Sequence, residues 1–321
     1  MKRFEIDGTN YSFEELLTIC GVHDSHLELI RQYFQVDLTW ANQSFTVGCE
    51  DEATVGKIKK VIDGMVSISH IRHQLNDNDI RYLLHVVDEH PDVDLKHLSA
   101  EAICKTASGK MIYPKTLGQM LLVDTMDKND VTFSMGVAGT GKTYLAVCYA
   151  VNELKKGNYQ RLILTRPAVE AGESLGFLPG DLKEKVDPYL RPLYDALYDS
   201  LGSEMTLKLM EKEVIEIAPL AYMRGRTLDH AIIILDEAQN TTRSQMKMFL
   251  TRMGFDSKII ITGDVTQIDL IKKQDSGLIN ACNILKGIDG IGFVELGKWD
   301  VVRHPMVQKI IECYEKYESE K

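Results

Sequence analysis

The stretch VTFSMGVAGTGKTYLAVCYAVNEL, residues 131–154, decides the fold class of this chain. Its middle part, GVAGTGKT from Gly136 to Thr143, fits the phosphate-binding pattern G-x-x-x-x-G-K-[ST]. An apolar, strand-like run precedes the pattern and a helical run follows it, which is the context that a phosphate loop requires. A chance match in a chain of 321 residues is expected about 1% of the time. The stretch therefore predicts a nucleoside-phosphate site at the end of a buried strand.

The residues of this loop have distinct predicted roles. Its glycines let successive backbone N–H groups turn toward a β-phosphate, and the N-terminus of the following helix adds partial positive charge. We expect Lys142 to bridge the β- and γ-phosphates, and Thr143 to offer its hydroxyl to Mg²⁺. The predicted nucleotide-binding residues of the loop are Gly136, Val137, Ala138, Gly139, Thr140, Gly141, Lys142, Thr143 and Tyr144.

Short apolar runs recur from residue 105 onward, and most are separated by segments long enough for helices. They are rich in β-branched residues, which is typical of strands that are buried on both sides. This pattern predicts an α/β fold, a P-loop NTPase with a mainly parallel sheet and helices on both faces, whose ligand binds beyond the carboxyl ends of the strands. The runs are VTFSMGV, RLILTRP, VIEIAPL, AIIILDEA, KIIITGD and GIGFVEL.

Two of these runs end in acidic residues. AIIILDEAQN delivers Asp236 and Glu237 to the sheet edge where the phosphate loop lies. Phosphoryl transfer needs one carboxylate for the metal ion and a second for the attacking water, so we assign Asp236 to Mg²⁺ and Glu237 to the water. In ITGDVTQIDL, Gln267 is predicted to sense the γ-phosphate, with Asp264 near the metal ion. A glutamate that activates water favours hydrolysis over transfer to a small acceptor.

The chain divides into three predicted regions. Residues 1–76 have the pattern of a small α+β domain, in which two strands flank the polar turn Asn42-Gln43 and a helix carries apolar residues at helical spacing. Residues 77–104 are predicted to be a helical linker. A loop rich in Gly, Pro and Lys, KTASGKMIYPKTLG, marks the boundary near residue 105, and residues 105–321 form the predicted P-loop domain.

Composition is ordinary for a soluble globular protein, with 44% apolar and 26% charged residues. The net charge of −10 argues against broad attraction to nucleic acid but allows a local basic groove. The six cysteines are far apart and form no CxxC pair, so we expect reduced thiols rather than disulfides or a zinc site. No segment approaches the roughly 18 apolar residues of a membrane span. The sequence therefore predicts a cytoplasmic protein without membrane contact.

Several motifs together resemble a known family. The order GKT, DEAQ, GDVTQ resembles motifs I, II and III of superfamily 1 helicases. The further stretches PKTLGQ, LTRPAVEAGESLGFLPGDLKEK, APLAYMRGRTL and DVVRHP make residues 105–321 closely similar to the PhoH-like ATPase family. The resemblance implies a Mg²⁺-dependent ATPase and a homo-oligomeric ring, a hexamer. It also implies that Gln119 recognises adenine.

The same resemblance suggests further contacts. Arg303 in DVVRHP is the candidate arginine finger, within one subunit or across two. Thr165 and Arg166 end the second strand, where helicase-like proteins contact the nucleic-acid backbone. Arg224 and Arg226 lie on a Gly-containing turn, and RNA phosphates, a neighbouring subunit and nearby carboxylates are equally open as their partners.

The N-terminal region resembles the KH-like domain that commonly precedes this ATPase. A KH domain clamps nucleic-acid backbone with a GXXG loop, whereas the comparable turn here is Gly21-Val22-His23-Asp24, without a second glycine or a lysine. RNA binding by this region stays open at this point.

The sequence leaves three functions to weigh. The leading hypothesis is an ATPase coupled to RNA binding, remodelling or RNA metabolism. After Val294 only 27 residues follow, too few for a second motor domain, so any translocation would need an oligomer. The alternative is an ATP-gated scaffold that binds protein partners without moving along RNA. A small-molecule kinase ranks third. Guanine recognition is not indicated, because no Asn-Lys-x-Asp stretch follows the loop.

Overall fold

The structure is a computed structural model of the 321-residue chain. It describes residues 2–72, 75–89, 95, 101–167 and 182–302, together with single positions at 306, 307, 310, 313, 314 and 317. The chain forms two compact units, Met1–Ala100 and Glu101–Lys321. Each unit is described by itself below.

The first unit combines a three-stranded antiparallel sheet with four helices. The sheet order is β1-β3-β2, with Phe4 opposite Val47 and Trp40 opposite Phe45. Helix α1 begins in a reciprocal capping box, in which Ser12 and Glu15 each accept the backbone N–H of the other. The elements are β1 Lys2–Asp7, α1 Phe13–Cys20, α2 Ser25–Phe34, β2 Asp37–Ala41, β3 Ser44–Cys49, α3 Glu52–Arg72 and α4 Asp77–Glu89.

The predicted elements of this unit are present, and α3 extends to Arg72. Helix α4, at the start of the predicted linker at 77–104, packs against α2 and α3 inside the first unit. Ile80, Leu83 and Val87 on α4 are fully buried there. The sequence shows these apolar residues at helical spacing, but only the structure shows that they pack within the first unit. The KH-like assignment and the three domain boundaries stay predictions.

The second unit is built on a six-stranded sheet in which every neighbouring pair is parallel, with the order β11-β6-β10-β9-β7-β8. All six predicted runs form its strands, so the predicted α/β fold with a parallel sheet is confirmed. The strands are β6 Val131–Gly136, β7 Arg161–Arg166, β8 Ile215–Pro219, β9 Ala231–Leu235, β10 Lys258–Gly263 and β11 Ile291–Leu296.

Helices cover both faces of this sheet. The alternation of side chains along β9 shows why: Ile232 and Ile234 join the core cluster with α6 and α7, whereas Ile233 and Leu235 join the cluster with α9 and α10. The helices are α5 Leu117–Lys128, α6 Lys142–Lys156, α7 Leu182–Leu201, α8 Ser203–Glu211, α9 Arg243–Leu250 and α10 Gly277–Leu285.

The predicted loop before α5 contains a short hairpin, β4 Cys104–Lys105 and β5 Met111–Ile112. None of the helices among the described residues combines the length and apolar character needed to cross a bilayer. Because β6, β9 and β10 are parallel neighbours, the segments that follow them emerge at one edge of the sheet. That edge carries the candidate site.

Candidate nucleotide-binding site

The phosphate loop connects β6 to α6 through positions that need glycine. Gly136 has φ +151°, and a Cβ there would lie 2.3 Å from the carbonyl oxygen of Leu296 on the neighbouring strand. Gly139 and Gly141 have φ of 85° and 82°, in the region that L side chains rarely adopt. The glycines therefore let the loop turn tightly at the end of the sheet, and α6 begins directly behind it at Lys142.

Lys142 lies inside the loop. Its ammonium group donates to the carbonyl oxygens of Gly136 at 2.6 Å and Val137 at 2.9 Å, and the residue is 9% exposed. The hydroxyl of Thr140 also donates to Val137, at 3.0 Å. These bonds hold a positive charge at the centre of the loop, where a phosphate chain would need it.

Asp236 joins the phosphate loop to the acidic strand end. Its Oδ1 accepts from the hydroxyls of Thr143 at 2.6 Å and Thr262 at 2.7 Å, and the side chain is buried. The two residues that the sequence predicts as metal ligands, Thr143 and Asp236, are thus in direct contact. Thr262 on β10 is a further partner that the sequence analysis did not identify, because a threonine within a strand has no motif signal.

Glu237 follows Asp236 in a left-handed backbone conformation, with φ 53°. Burial raises the pKa of its carboxyl above the ordinary value, and the adjacent Asp236 raises it further. Gln239, Arg166 and Lys142 lower it in part. A carboxyl with a raised pKa is a better proton acceptor than an ordinary glutamate, which suits the base predicted for this position.

Gln239 connects the two acidic strand ends and was missed by the sequence analysis. Its Nε2 donates to Glu237 Oε2 at 2.6 Å and to the carbonyl oxygen of Gln267 at 3.2 Å, and its Oε1 accepts from the backbone N–H of Asp264 at 3.0 Å. The residue is 1% exposed. One buried carboxamide therefore joins the carboxylate of Glu237 to the segment after β10.

That segment forms another wall of the site. Asp264 Oδ1 accepts from the backbone N–H and the hydroxyl of Thr266, while its Oδ2 is buried without a hydrogen-bond partner among the described residues. Gln267 lines the same cavity, and its backbone N–H donates to the carbonyl oxygen of Asp264. The structure thus places Gln267 near the phosphate loop, and its role as a γ-phosphate sensor stays a prediction.

Arg166 lies at the acid pair rather than on the outer surface. Its guanidinium is 3.5 Å from Glu237 Oε1 and 4.0 Å from Asp236 Oδ2, and it also donates to the carbonyl oxygen of Tyr189 on α7. Thr165 is fully buried, and its carbonyl oxygen accepts from the N–H of Asp236. The nucleic-acid or subunit contact by Thr165 stays a prediction, and in the structure the side chain of Thr165 is buried within the sheet unit.

Gln119 supports the phosphate loop from α5. Its Nε2 donates to the carbonyl oxygen of Thr140 at 2.9 Å, its Oε1 accepts from the N–H of Lys115 at 2.6 Å, and the side chain is 3% exposed. Both polar ends of the carboxamide thus bond the chain itself. Adenine recognition by Gln119 stays a prediction, and the geometry adds a loop-bracing role to it.

Helix α7 closes the site on another side. Tyr144 donates a hydrogen bond from its hydroxyl to Asp199, and Asp195 lies one turn earlier on the same face of α7. Two like charges at i and i+4 on a helix are slightly unfavourable, and no motif in the sequence indicated that these two residues line the site. The resulting cavity of about 520 Å³ falls within the range of small-molecule sites.

The residues that line this cavity come from four segments of the chain. They are Ala138, Gly139, Gly141, Lys142, Thr143, Tyr144, Pro192, Asp195, Ala196, Asp199, Asp236, Glu237, Gly263, Asp264 and Gln267.

The donor set suits Mg²⁺. A hydroxyl and carboxylates are the hard oxygen ligands that this ion takes, and the buried, unpartnered Oδ2 of Asp264 lies at the same cavity. Among the described residues, no three Asp, Glu, His or Cys side chains converge as a complete metal cage.

Arg224 and Arg226 occupy the turn after β8. Arg226 makes a two-point ion pair with Glu216, at 2.6 and 2.7 Å, whereas Arg224 is exposed. Of the three partners left open by the sequence, the nearby carboxylate is the one that Arg226 has. Arg303 lies outside the described residues, so its role stays a prediction, while the N–H of Val302 donates to Gly139 in the phosphate loop.

Replacing Arg226 with alanine is expected to lower the free energy of unfolding by about 0.5–1 kcal/mol. A two-point pair is stronger than an ordinary surface pair, but both side chains are about one-third exposed, so solvent screens the interaction. Chemical denaturation measures the change, and Arg224→Ala serves as the matched control with no expected loss. Equal effects of the two substitutions would contradict a structural role for the Arg226 pair.

The parallel sheet and the glycine-rich loop that leads into α6, with Lys142, Thr143 and Asp236 together, define a nucleotide-binding ATPase fold of the P-loop class. The chain belongs to the PhoH-like protein family, whose family model matches residues 111–315.

Relatives match beyond the sheet unit as well. The PhoH-like protein of Bacillus subtilis (strain 168) is 53% identical over 303 residues, which cover 94% of this chain and 95% of that protein. The PhoH-like protein of Mycobacterium tuberculosis (strain ATCC 25618 / H37Rv) is 48% identical over 302 residues, covering 94% and 85%. The solved large terminase of a thermophilic bacteriophage is similar at a TM-score of only 0.34 and 10% identity, covering 59% and 45% of the two chains. A likeness that weak says nothing about how this chain works.

Proposed function

We propose that this chain is a Mg²⁺-dependent ATPase that hydrolyses ATP to ADP and phosphate. The observation that carries the proposal is the meeting of the phosphate loop, Asp236, Glu237 and Gln267 at one cavity. Membership of the PhoH-like family supports nucleotide binding. Adenine is the proposed base, with Gln119 as its candidate partner.

The residues of the chain divide the work of phosphoryl transfer. The backbone N–H groups of the loop and the ammonium of Lys142 bind and orient the phosphates. Glu237, held by Gln239 and Arg166, orients the attacking water and accepts its proton at the carboxylate. Arg303 stays the candidate for stabilising the transferred charge.

Thr143 and Asp236 would hold Mg²⁺, and Asp264 at the same cavity would bond a water of the ion's shell. When bound, the ion neutralises charge on the phosphate oxygens. The hydroxyl of Thr262 fixes the orientation of the Asp236 carboxylate, so this carboxylate is preorganised by the fold.

We further propose that ATP hydrolysis by this chain is coupled to RNA binding, remodelling or RNA metabolism. The likeness of the three motifs to helicase motors supports it, and so does the exposed Arg224 at the turn after β8. We propose that a homo-oligomeric ring, a hexamer, provides the second wall of each ATP site. The protein would act in the cytoplasm.

The alternative is an ATP-gated scaffold that binds protein partners. One observation favours it: Arg166 and Thr165, two of the candidate nucleic-acid contacts, are occupied or buried within the ATPase unit. The strong acidity of the first unit, described below, points in the same direction.

A phosphate-release assay distinguishes the RNA-coupled ATPase from the ATP-gated scaffold. The purified chain is assayed with ATP and Mg²⁺, alone and with single-stranded RNA, structured RNA and matched DNA, while its mass is measured with and without nucleotide. We expect hydrolysis that depends on Mg²⁺ and rises with RNA. Hydrolysis that no nucleic acid changes would exclude the RNA motor and leave the scaffold. No hydrolysis or ATP binding under any of these conditions would exclude the ATPase itself.

A further inference from the structure

The negative charge of this chain is concentrated in its first unit. Residues 1–100 contain 17 acidic and 9 basic side chains, a formal charge of −8, and this leaves −2 for the remaining 221 residues from the total of −10. A surface that binds nucleic acid through phosphates needs clustered lysine and arginine, so the first unit has the wrong charge for that ligand.

Helix α1 of this unit exposes an apolar face. One side of the helix packs against α2 and α3, with Ile19 fully buried. The opposite side should be polar on an ordinary surface helix, yet Phe13 is 75% exposed and Leu17 is 58% exposed. These two residues are one turn apart and therefore neighbours on the helix surface.

The turn after α1 carries another exposed apolar side chain. Val22, 78% exposed, follows the end of the helix directly, and the backbone of Gly21 at φ 73° turns the chain there. A single exposed apolar side chain is normal on a protein surface, whereas a patch of several often marks an interaction site. We call Phe13, Leu17 and Val22 the α1 face.

Acidic side chains border the α1 face. Glu14 lies beside Phe13 on the helix, and Asp24 lies two residues beyond Val22 in the turn. Both are exposed, and among the described residues neither carboxylate forms an ion pair. The turn carries no lysine or arginine.

From these observations we infer that the α1 face docks a basic amphipathic segment of a partner protein. Apolar side chains of the segment pack on Phe13, Leu17 and Val22, and its lysines or arginines pair with Glu14 and Asp24. An amphipathic helix binds through apolar side chains that recur about once a turn, and Phe13 and Leu17 offer it two apolar contacts at a similar spacing.

The charge of the face decides between the possible occupants. RNA and anionic lipid surfaces are repelled by an acidic border and by a unit of charge −8. A second copy bound through the same face would bring Glu14 and Asp24 near their own counterparts, which is unfavourable for a two-fold contact. A basic protein segment meets both the apolar and the acidic part of the surface.

Binding of a defined peptide tests the inference on the full chain. The probe is a fluorescent amphipathic helix made only of lysine and leucine, compared with its glutamate-leucine counterpart and with a single-stranded RNA. We expect saturable binding of the lysine peptide and no saturable binding of the glutamate peptide or the RNA. Binding of the lysine peptide should weaken as salt is added. Fluorescence anisotropy measures each affinity.

Substitutions then locate the site. The double variant Phe13→Ser, Leu17→Ser is expected to raise the Kd of the lysine peptide by at least about tenfold, because both anchors are lost. The double variant Glu14→Gln, Asp24→Asn is expected to raise it about two- to five-fold and to reduce the salt dependence. Phe255→Ser removes a side chain that is 85% exposed in the second unit and is the matched control, with no change expected. Circular dichroism and phosphate release check that each variant is folded.

Four results would overturn the inference. They are the absence of saturable peptide binding, equal binding by the wild type and the Phe13, Leu17 variant, RNA binding that this variant abolishes, and a loss of self-association in this variant. The last two would assign the face to RNA or to a second copy. The proposed ATPase activity is read separately in the same samples, so a failure of one proposal does not decide the other.

Discussion

Replacing Glu237 with glutamine is expected to slow phosphate release by about 10²- to 10⁴-fold while ATP binding is kept. Glutamine has the same shape and keeps an oxygen at the position that Gln239 bonds, but it cannot accept a proton from water at neutral pH. The phosphate-binding groups of the loop are on other segments, so the affinity for ATP should change little. Single-turnover hydrolysis and equilibrium binding of a labelled nucleotide measure the two quantities.

The control for this change is Glu295→Gln, which alters an exposed glutamate on β11 and should leave both quantities unchanged. A Glu237→Gln variant that hydrolyses ATP at the wild-type rate would remove Glu237 from the reaction. A variant that loses ATP binding instead would show that the carboxylate acts in the ground state, on the bound metal ion or on the fold.

The sequence predicted the sheet because its strands are buried on both sides and so read as continuous apolar runs. AIIIL and KIIIT are short runs of mostly β-branched residues, without the alternation of a half-buried strand or the length of a helix. Both form fully buried strands in the structure. The phosphate loop was predictable for a different reason. Its glycines are required by the backbone itself, as the approach of Gly136 to Leu296 shows.

Contacts across strands were not predictable in the same way. Arg166 ends β7, and the sequence indicates only that it stands at the carboxyl edge, not whether its side chain points outward or toward the neighbouring β9. The parallel register of β7 and β9 brings it to Asp236 and Glu237. An arginine that looks like a surface contact in the sequence is therefore held by the acids of the site.

The contacts of Gln239 were even less predictable from the sequence than those of Arg166. A glutamine two residues after an acidic pair is equally compatible with a solvated turn, and no motif spacing indicates where its carboxamide lies. The structure buries it because β10 is the parallel neighbour of β9, which places the segment after β10 within reach of Gln239. Gly263 leaves room for this contact, since a Cβ there would lie 3.0 Å from Gln239 Oε1.

Replacing Gln239 with methionine is expected to slow phosphate release by about 10- to 100-fold with less than about threefold change in ATP affinity. Methionine has a similar unbranched shape, so packing is kept, but all three hydrogen bonds of the carboxamide are lost. A buried donor without a partner costs about 1–3 kcal/mol. Here the N–H of Asp264 is left without a partner, and among the described residues Glu237 keeps only its contact with Arg166. A factor of ten in rate corresponds to about 1.36 kcal/mol, which gives the expected range.

Melting temperature, ATP binding and hydrolysis of the Gln239→Met variant distinguish a role in positioning Glu237 from a role in folding. Gln274→Met, at an exposed position, is the matched control and should behave as the wild type. A merely structural role of Gln239 would lower the melting temperature and reduce ATP binding and hydrolysis together. A positioning role lowers the rate at saturating ATP and leaves binding intact, because the hydrogen bonds of the Gln239 side chain, in the part of the chain that the structure describes, go to Glu237, Asp264 and Gln267 and not to the phosphate loop. In the Glu237→Gln background the substitution should then have little further effect, since there is no base left to position.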